Sequence, residues 1–302
     1  MAVRFDYLEP RTVQEAISLL SRHGCAAKLV AGGTDLLNEI RSKKIAPEYI
    51  VDIGAIPGLD SLTYNDSDTL SIGALATLRA VETSGRVKMR HTVISQAAGQ
   101  IGSVAIRNVG TIAGNLCHAS PAADMAPSLL ALGAKAKIVG PAGERTVTLD
   151  DFFAGPGRTV LGNGEMLVEI CVPAMPPRAK AVYLKHAIRG AADLSIVGVA
   201  VMASLEDGCC RNVKIALGAV APTPMRARST ESVLEGKKLD DALIENAGRA
   251  ASDECRPITD VRASADYRRE MVGVLTRWAI KRVFAENKQA SNEATAKEIT
   301  MS

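Results

Sequence analysis

Two short glycine-centred segments, Leu29-Val30-Ala31-Gly32-Gly33-Thr34-Asp35-Leu36 and Gly110-Thr111-Ile112-Ala113-Gly114-Asn115, constrain this chain more than any other feature. Each closes an apolar stretch and turns at once into small polar residues. Glycine accepts positive φ and carries no Cβ, so consecutive main-chain N–H groups at such turns can converge on a bound anion. Occurring twice, the pattern reads as a two-part cradle for a diphosphate, with Thr34, Asp35, Thr111 and Asn115 placed to fix sugar or phosphate hydroxyls. Gly32-Gly33 alone is more often the punctuation of an ordinary strand-ending turn. The best-known nucleotide fingerprints are missing: no G-x-G-x-x-G joins a strand to a helix, and no G-x-x-x-x-G-K precedes Ser or Thr. A Rossmann or P-loop fold is therefore disfavoured.

A chain of 302 residues suits two domains or one large one, and 47% hydrophobic with 23% charged residues is an ordinary globular composition. The 36 basic and 33 acidic residues leave a net charge of +3, too balanced to suggest a nucleic-acid surface. The first ten residues carry acidic groups and a proline where a signal peptide needs an apolar run, and no stretch is long enough to span a bilayer. A cytoplasmic protein is the expectation. The six cysteines, at 25, 117, 171, 209, 210 and 255, form no C-x-x-C pair and no cluster spacing, so they read as reduced thiols and no metal site is expected.

Apolar residues at 13, 16, 17 and 20 have helical spacing, and residues 27–31 and 49–53 read as short strands, giving a βαβ-like opening that ends near residue 56. A second unit mixes strands at 70–74, 135–139, 145–149 and 166–172 with helices at 93–101 and 125–132. Three prolines within residues 173–177 mark the clearest domain boundary. Strands at 181–186, 195–204 and 211–220 follow, the last two joined by an Asp207-Gly208 turn, and then helices at 241–252 and 265–284. Tyr267, Met271, Val274, Leu275 and Trp278 form a stripe on the last helix that reads as core. The polar run from Asn287 to Ser302 lacks the apolar mass to fold and reads as a loose tail.

The second glycine segment extends to Ile106-Arg107-Asn108-Val109 on one side and Leu116 on the other, and is followed by Ser120-Pro121-Ala122-Ala123-Asp124-Met125-Ala126-Pro127. Phe152-Phe153-Ala154-Gly155-Pro156-Gly157-Arg158-Thr159 and Asp260-Val261-Arg262-Ala263-Ser264-Ala265-Asp266-Tyr267-Arg268-Arg269 complete the set. In this combination, over about residues 1–286, the chain resembles the FAD-binding medium subunit of the molybdenum hydroxylases, the xanthine dehydrogenase and carbon monoxide dehydrogenase family. The resemblance implies an α+β protein. A two-subdomain FAD-binding fold of the PCMH/vanillyl-alcohol-oxidase type would occupy residues 1–175, with subdomains at about 1–56 and 57–175, and a smaller domain of antiparallel sheet plus helices would occupy 178–286.

It also implies an extended FAD with its diphosphate on the two loops, contacted by residues 29–36 and by Thr111, Ile112, Ala113, Gly114 and Asn115. Asp124 falls at the family's ribose- or adenine-side carboxylate, although Asp124 also stands where a helix N-cap belongs. Ile101 and Leu167 match flavin-packing positions and otherwise read as core aliphatics. Lys185 matches a lysine beside the flavin ring, where a cation stabilises the anionic reduced form; by itself it reads as a surface lysine. Asp193 departs from relatives that place a flavin-covering aromatic residue there. Cys117 and His118 invite a covalent flavin link, but non-covalent binding is expected.

No Ser/His/Asp grouping or paired carboxylates emerge, so no catalytic side chain is assigned. The implied role is an electron-transfer subunit. A large partner carries the molybdenum cofactor, a small partner with two 2Fe–2S clusters delivers electrons to FAD, and NAD, a quinone or oxygen accepts them. The rival readings are a self-sufficient FAD oxidoreductase and a flavin-free scaffold subunit.

Overall fold

The computed structural model describes residues 4–189 and 192–300, with side chains through Ala285. It opens with β1 (Asp6–Leu8), α1 (Val13–His23), β2 (Ala27–Val30), α2 (Leu36–Arg41) and β3 (Tyr49–Asp52). Thr12 starts α1 by accepting from the Glu15 N–H, and the Glu15 carboxylate accepts from the Arg11 N–H, so free amides of the first turn are met locally. The helix lays Ala16, Ile17 and Leu20 over Val51 and Ile53. The strands are parallel in the order β1-β3-β2, with β3 in the middle. Parallel strands need crossovers, and the turn after β2 begins the one that runs through α2 to β3. The first glycine segment thus lies at the carboxyl end of a parallel strand.

The second unit contains β4 (Leu62–Tyr64), β5 (Leu70–Gly73), α3 (Leu78–Thr83), α4 (Gly85–Arg90), α5 (Thr92–Gly99), α6 (Val104–Val109), α7 (Ile112–Cys117) and α8 (Met125–Ala131). It continues through β6 (Lys135–Gly140), β7 (Gly143–Thr148), β8 (Phe153–Gly155), β9 (Arg158–Thr159) and β10 (Met166–Val172). Its sheet has the order β4-β5-β10-β6-β7 and is antiparallel throughout. Leu70, Ile72, Ile138 and Ile170 from the sheet pack with Ile94, Leu116 and Leu129 from the helices in one core. Of the short helices between residues 78 and 117 only α5 is read from the sequence, at 93–101; the six-residue α3, α4, α6 and α7 escape the sequence reading because none is long enough to display an amphipathic period.

The third unit begins with β11 (Lys180–His186), β12 (Val197–Glu206), β13 (Cys209–Gly218) and β14 (Met225–Arg226) in an antiparallel sheet of that order. Asp207 at φ 51° and Gly208 at φ 78° close the β12–β13 hairpin, as their sequence suggests. α9 (Arg228–Leu234), α10 (Asp241–Glu254) and α11 (Ala265–Thr300) complete the chain. The sheet is covered on both faces. Val199, Val201, Ile215 and Leu217 meet α10 and α11, while Ala200, Met202 and Ala216 belong to the core of the preceding unit. That explains why residues 195–204 read as an unbroken apolar run, and it locks the third unit to α8.

Two expectations change here. The core stripe of α11 is Val272, Leu275, Ala279, Ile280 and Val283, whereas Tyr267 is 42% and Trp278 60% exposed. The stripe read from sequence was rotated, because large aromatic residues were weighted above the small ones that fit beneath a sheet. The helix runs on to Thr300, and the tail expected from Asn287 lies where side chains are outside the described residues.

Arg268, 1% exposed, is held by Asp260, which also accepts from the Arg262 N–H and guanidinium. Burial opposes charge on Asp260, but these donors outweigh it and hold the carboxyl well below its usual range. The resulting stability is present above the ordinary carboxylate pKa and is lost as pH falls toward the lowered one. Asp260→Asn is expected to cost about 3 kcal/mol at neutral pH by leaving Arg268 uncompensated. In denaturant titrations the gap from wild type should narrow as pH drops below about 4.

Candidate functional site

The chain leaves β2 at Val30 and turns through residues 31–35 into α2. Gly33 has φ 69°, a conformation that side chains resist. Gly32 is glycine for another reason: a Cβ there would lie 2.0 Å from the Val109 carbonyl oxygen and 2.9 Å from the Gly110 Cα. The two glycine segments therefore touch backbone to backbone. The second is braced from behind, where the Leu78 N–H donates to the Gly110 carbonyl (2.8 Å) and the Ile112 N–H to that of Ala76 (3.3 Å). Thr111 caps α7 by accepting from the Gly114 N–H at 2.9 Å.

Among the described residues, none accepts a hydrogen bond from the N–H of Gly32, Gly33, Thr34 or Asp35. Beside this row of donors runs a cleft of about 510 Å³. Ala31 and Gly32 form one wall, Val109 and Thr111 the next, and Gly54, Ala55, Ile56, Pro57, Asp60 and Leu75 the rest. The sequence reading missed the 54–57 wall, whose Gly-Ala-Ile-Pro run carries only a turn signal. Exposed amides next to a concave surface make a binding place for an anion with an extended body.

A second polar centre lies where α8 meets the third unit. The Asp124 carboxylate accepts from Tyr183 Oη (2.7 Å), from Ser195 Oγ and from Lys185 Nζ (2.8 Å). Lys185 Nζ also donates to the Gln100 carbonyl (3.1 Å), and the Lys185 and Asp124 side chains are 8% and 7% exposed. Burial, together with the Asp124 charge, raises the Tyr183 phenol well above its usual range, so it remains a donor. Room for its hydroxyl comes from Gly198, whose absent Cβ would stand 2.7 Å from it.

The comparisons with known proteins agree with this geometry. The family described as the FAD binding domain in molybdopterin dehydrogenase matches residues 3–175, and the CO dehydrogenase flavoprotein C-terminal domain matches residues 182–283. The chain belongs to the FAD-binding medium subunits of the molybdenum hydroxylases. The carbon monoxide dehydrogenase medium chain of Hydrogenophaga pseudoflava is 35% identical over 93% of this chain and 98% of its own. The putative xanthine dehydrogenase FAD-binding subunit of Escherichia coli is 31% identical, over 93% of this chain and 96% of its own. A solved carbon monoxide dehydrogenase from H. pseudoflava, lacking the Mo-pyranopterin moiety, superposes with a TM-score of 0.92, covering 94% of this chain and 99% of that chain at 35% identity. Quinoline 2-oxidoreductase of Pseudomonas putida gives 0.88 at 29% identity, covering 94% and 98%.

The cofactor of this medium subunit is FAD, and the residues present fit it: the free N–H groups of residues 32–35 would meet diphosphate charge without the cost of burying lysines. Asp124 stands at the N-cap of α8, but its side chain makes no cap hydrogen bond and is fully engaged across the domain boundary instead. Lys185 is a buried, paired cation, so the surface-lysine reading falls. Asn115 Oδ1 accepts from the Met125 N–H at 3.4 Å and takes over the start of α8. Ile101 is half-buried, with its carbonyl held by Arg107 at 3.0 Å, and Leu167 is 4% exposed within the core. Asp193 folds onto the Arg189 and Leu194 N–H groups. Burial pushes the Cys117 thiol up to about 12, and His118 Nε2 lies 4.0 Å from Asp35 Oδ1.

Tyr183 and Ser195 went unnoticed in the sequence, although Tyr183 stands two residues from Lys185 and so shares its strand face. The contact at Gly32 has a measurable consequence. Gly32→Ala must push the two segments apart, and a loss of about 1–3 kcal/mol of stability is expected in chemical denaturation of the FAD-free chain.

Proposed function

We propose that this chain relays electrons within a molybdenum-cofactor hydroxylase complex, receiving them from the 2Fe–2S clusters of a small partner subunit and passing them to an external acceptor such as NAD, a quinone or oxygen. The contact between the two glycine turns, with unpaired N–H groups beside a cleft, carries this reading. Support for the assembly comes from relatives named as medium chains and medium subunits of dehydrogenases and hydroxylases. When bound, FAD supplies a redox centre able to exchange electrons one or two at a time.

The chain's own residues supply grip and electrostatics. Residues 29–36 and 111–115 enclose the diphosphate, and the N–H groups of Gly32, Gly33, Thr34 and Asp35 are the main-chain donors that hold it. Val30, Ile112 and Ala113 act by fixing the shape of the turns, since their side chains are buried. Ile101 and Leu167 set the packing beside the cofactor. Asp124 and Lys185 touch one another, so they serve the same part of FAD rather than opposite ends of it. Because Lys185 is paired with Asp124, its positive charge acts on the cofactor as one end of a nearly neutral dipole. With no side chain assigned to proton transfer, substrate chemistry belongs to the large molybdenum-bearing partner.

The purified chain should be yellow, bleach with dithionite and release FAD on acid treatment; colourless protein that cannot be reconstituted with FAD overturns the proposal. Gly33→Val, which forces a branched side chain to φ 69°, should weaken FAD retention by roughly tenfold or more while circular dichroism stays native. Purification from the native source should bring down molybdenum and iron with two further chains.

A further inference from the structure

The Asp124 cluster is held in place by a residue that touches none of its members. Arg268, on the first turn of α11, sends Nη1 to the carbonyls of Ile196 (2.7 Å) and Ala219 (3.1 Å), and Nη2 to Asp260 (2.7 Å). Ile196 follows Ser195, whose hydroxyl donates to Asp124. Ala219 follows β13, and its N–H donates at 2.7 Å to the carbonyl of Pro121, in the turn that leads to Asp124. One guanidinium therefore fixes both the segment carrying the Ser195 donor and the segment that seats the Asp124 turn.

The backbone agrees. Ala219 adopts φ 64°, a left-handed conformation that crowds the alanine Cβ and persists only where neighbours over-determine it. Here Arg268 holds its carbonyl and Pro121 its N–H. The close seating of α8 on the sheet has the same origin, since a Cβ on Gly218 would lie 2.8 Å from Pro127 Cγ.

We propose that Arg268 is a positioning residue for FAD, acting through Ile196, Ser195 and Ala219 to set the Asp124 carboxylate. The inference rests on the FAD reading above. A lysine at 268 keeps the charge facing Asp260 but offers one nitrogen where the fork offers two, so it cannot hold both carbonyls and the carboxylate together.

The test uses the full chain stripped of FAD and reconstituted, reading FAD affinity by fluorescence, the visible flavin spectrum and the melting temperature of the FAD-free protein. Arg268→Lys and Ser195→Ala are each expected to weaken FAD binding roughly tenfold and to shift the flavin band. The double variant should lose no more than the weaker-binding single one, because both act on one carboxylate. Losses that multiply, or a lowered melting temperature with unchanged affinity and spectrum, overturn the proposal. If Arg268→Lys fails to fold, Ser195→Ala decides alone: unchanged FAD affinity in that variant defeats the relay. A wild-type chain that binds no FAD defeats the underlying functional reading instead.

Discussion

The organisation of this protein depends on a missing atom at Gly32. Any side chain there would collide with the Val109 carbonyl, so only glycine lets the turn after β2 rest on the backbone that enters α7. One turn closes a parallel βαβ unit and the other sits among short helices over an antiparallel sheet. Their contact sets the free main-chain donors of the first turn beside one cleft whose next wall is Val109 and Thr111 of the second. Backbone amides suit this task because they are fixed dipoles with no rotamer freedom to lose, and they need no buried counter-charge.

The second organising contact is electrostatic. Asp124 gathers Tyr183, Lys185 and Ser195 from the third unit, almost wholly out of water. A carboxylate so buried is tolerable only when its oxygens are met by donors, and here a cation is among them. The same contact spares Asp124 from capping α8, a task that falls to Asn115. Small residues make the approach possible. Ala200, Ala216, Gly198 and Gly218 thin the sheet face that meets α8, while its other face carries the bulky Val and Ile side chains that meet α10 and α11.

Much of this was legible in the chain itself. The glycine segments, the β10 strand, the Asp207-Gly208 hairpin and the long C-terminal helix all follow from local turn chemistry and periodicity. The motifs around residues 106–127 also pointed to the FAD-binding family that the comparisons establish. What stayed hidden was short or distant: helices of six residues, the 54–57 wall, and the exposure of Trp278. Such features leave no periodic trace, since they are fixed by which surfaces meet.

The sequence by itself determined where the chain must turn with glycine, which segments are apolar enough to be buried and which family carries that pattern, because these are properties of neighbouring residues. Only the tertiary structure decided that Gly32 lies on Val109, that Asp124 serves Tyr183 and Ser195 rather than its own helix, and that Arg268 holds the Ile196 and Ala219 carbonyls from the far side of the sheet. Those pairings join residues from 49 to 77 positions apart. No local propensity encodes such pairings; they follow from the packing of layers around a shared core.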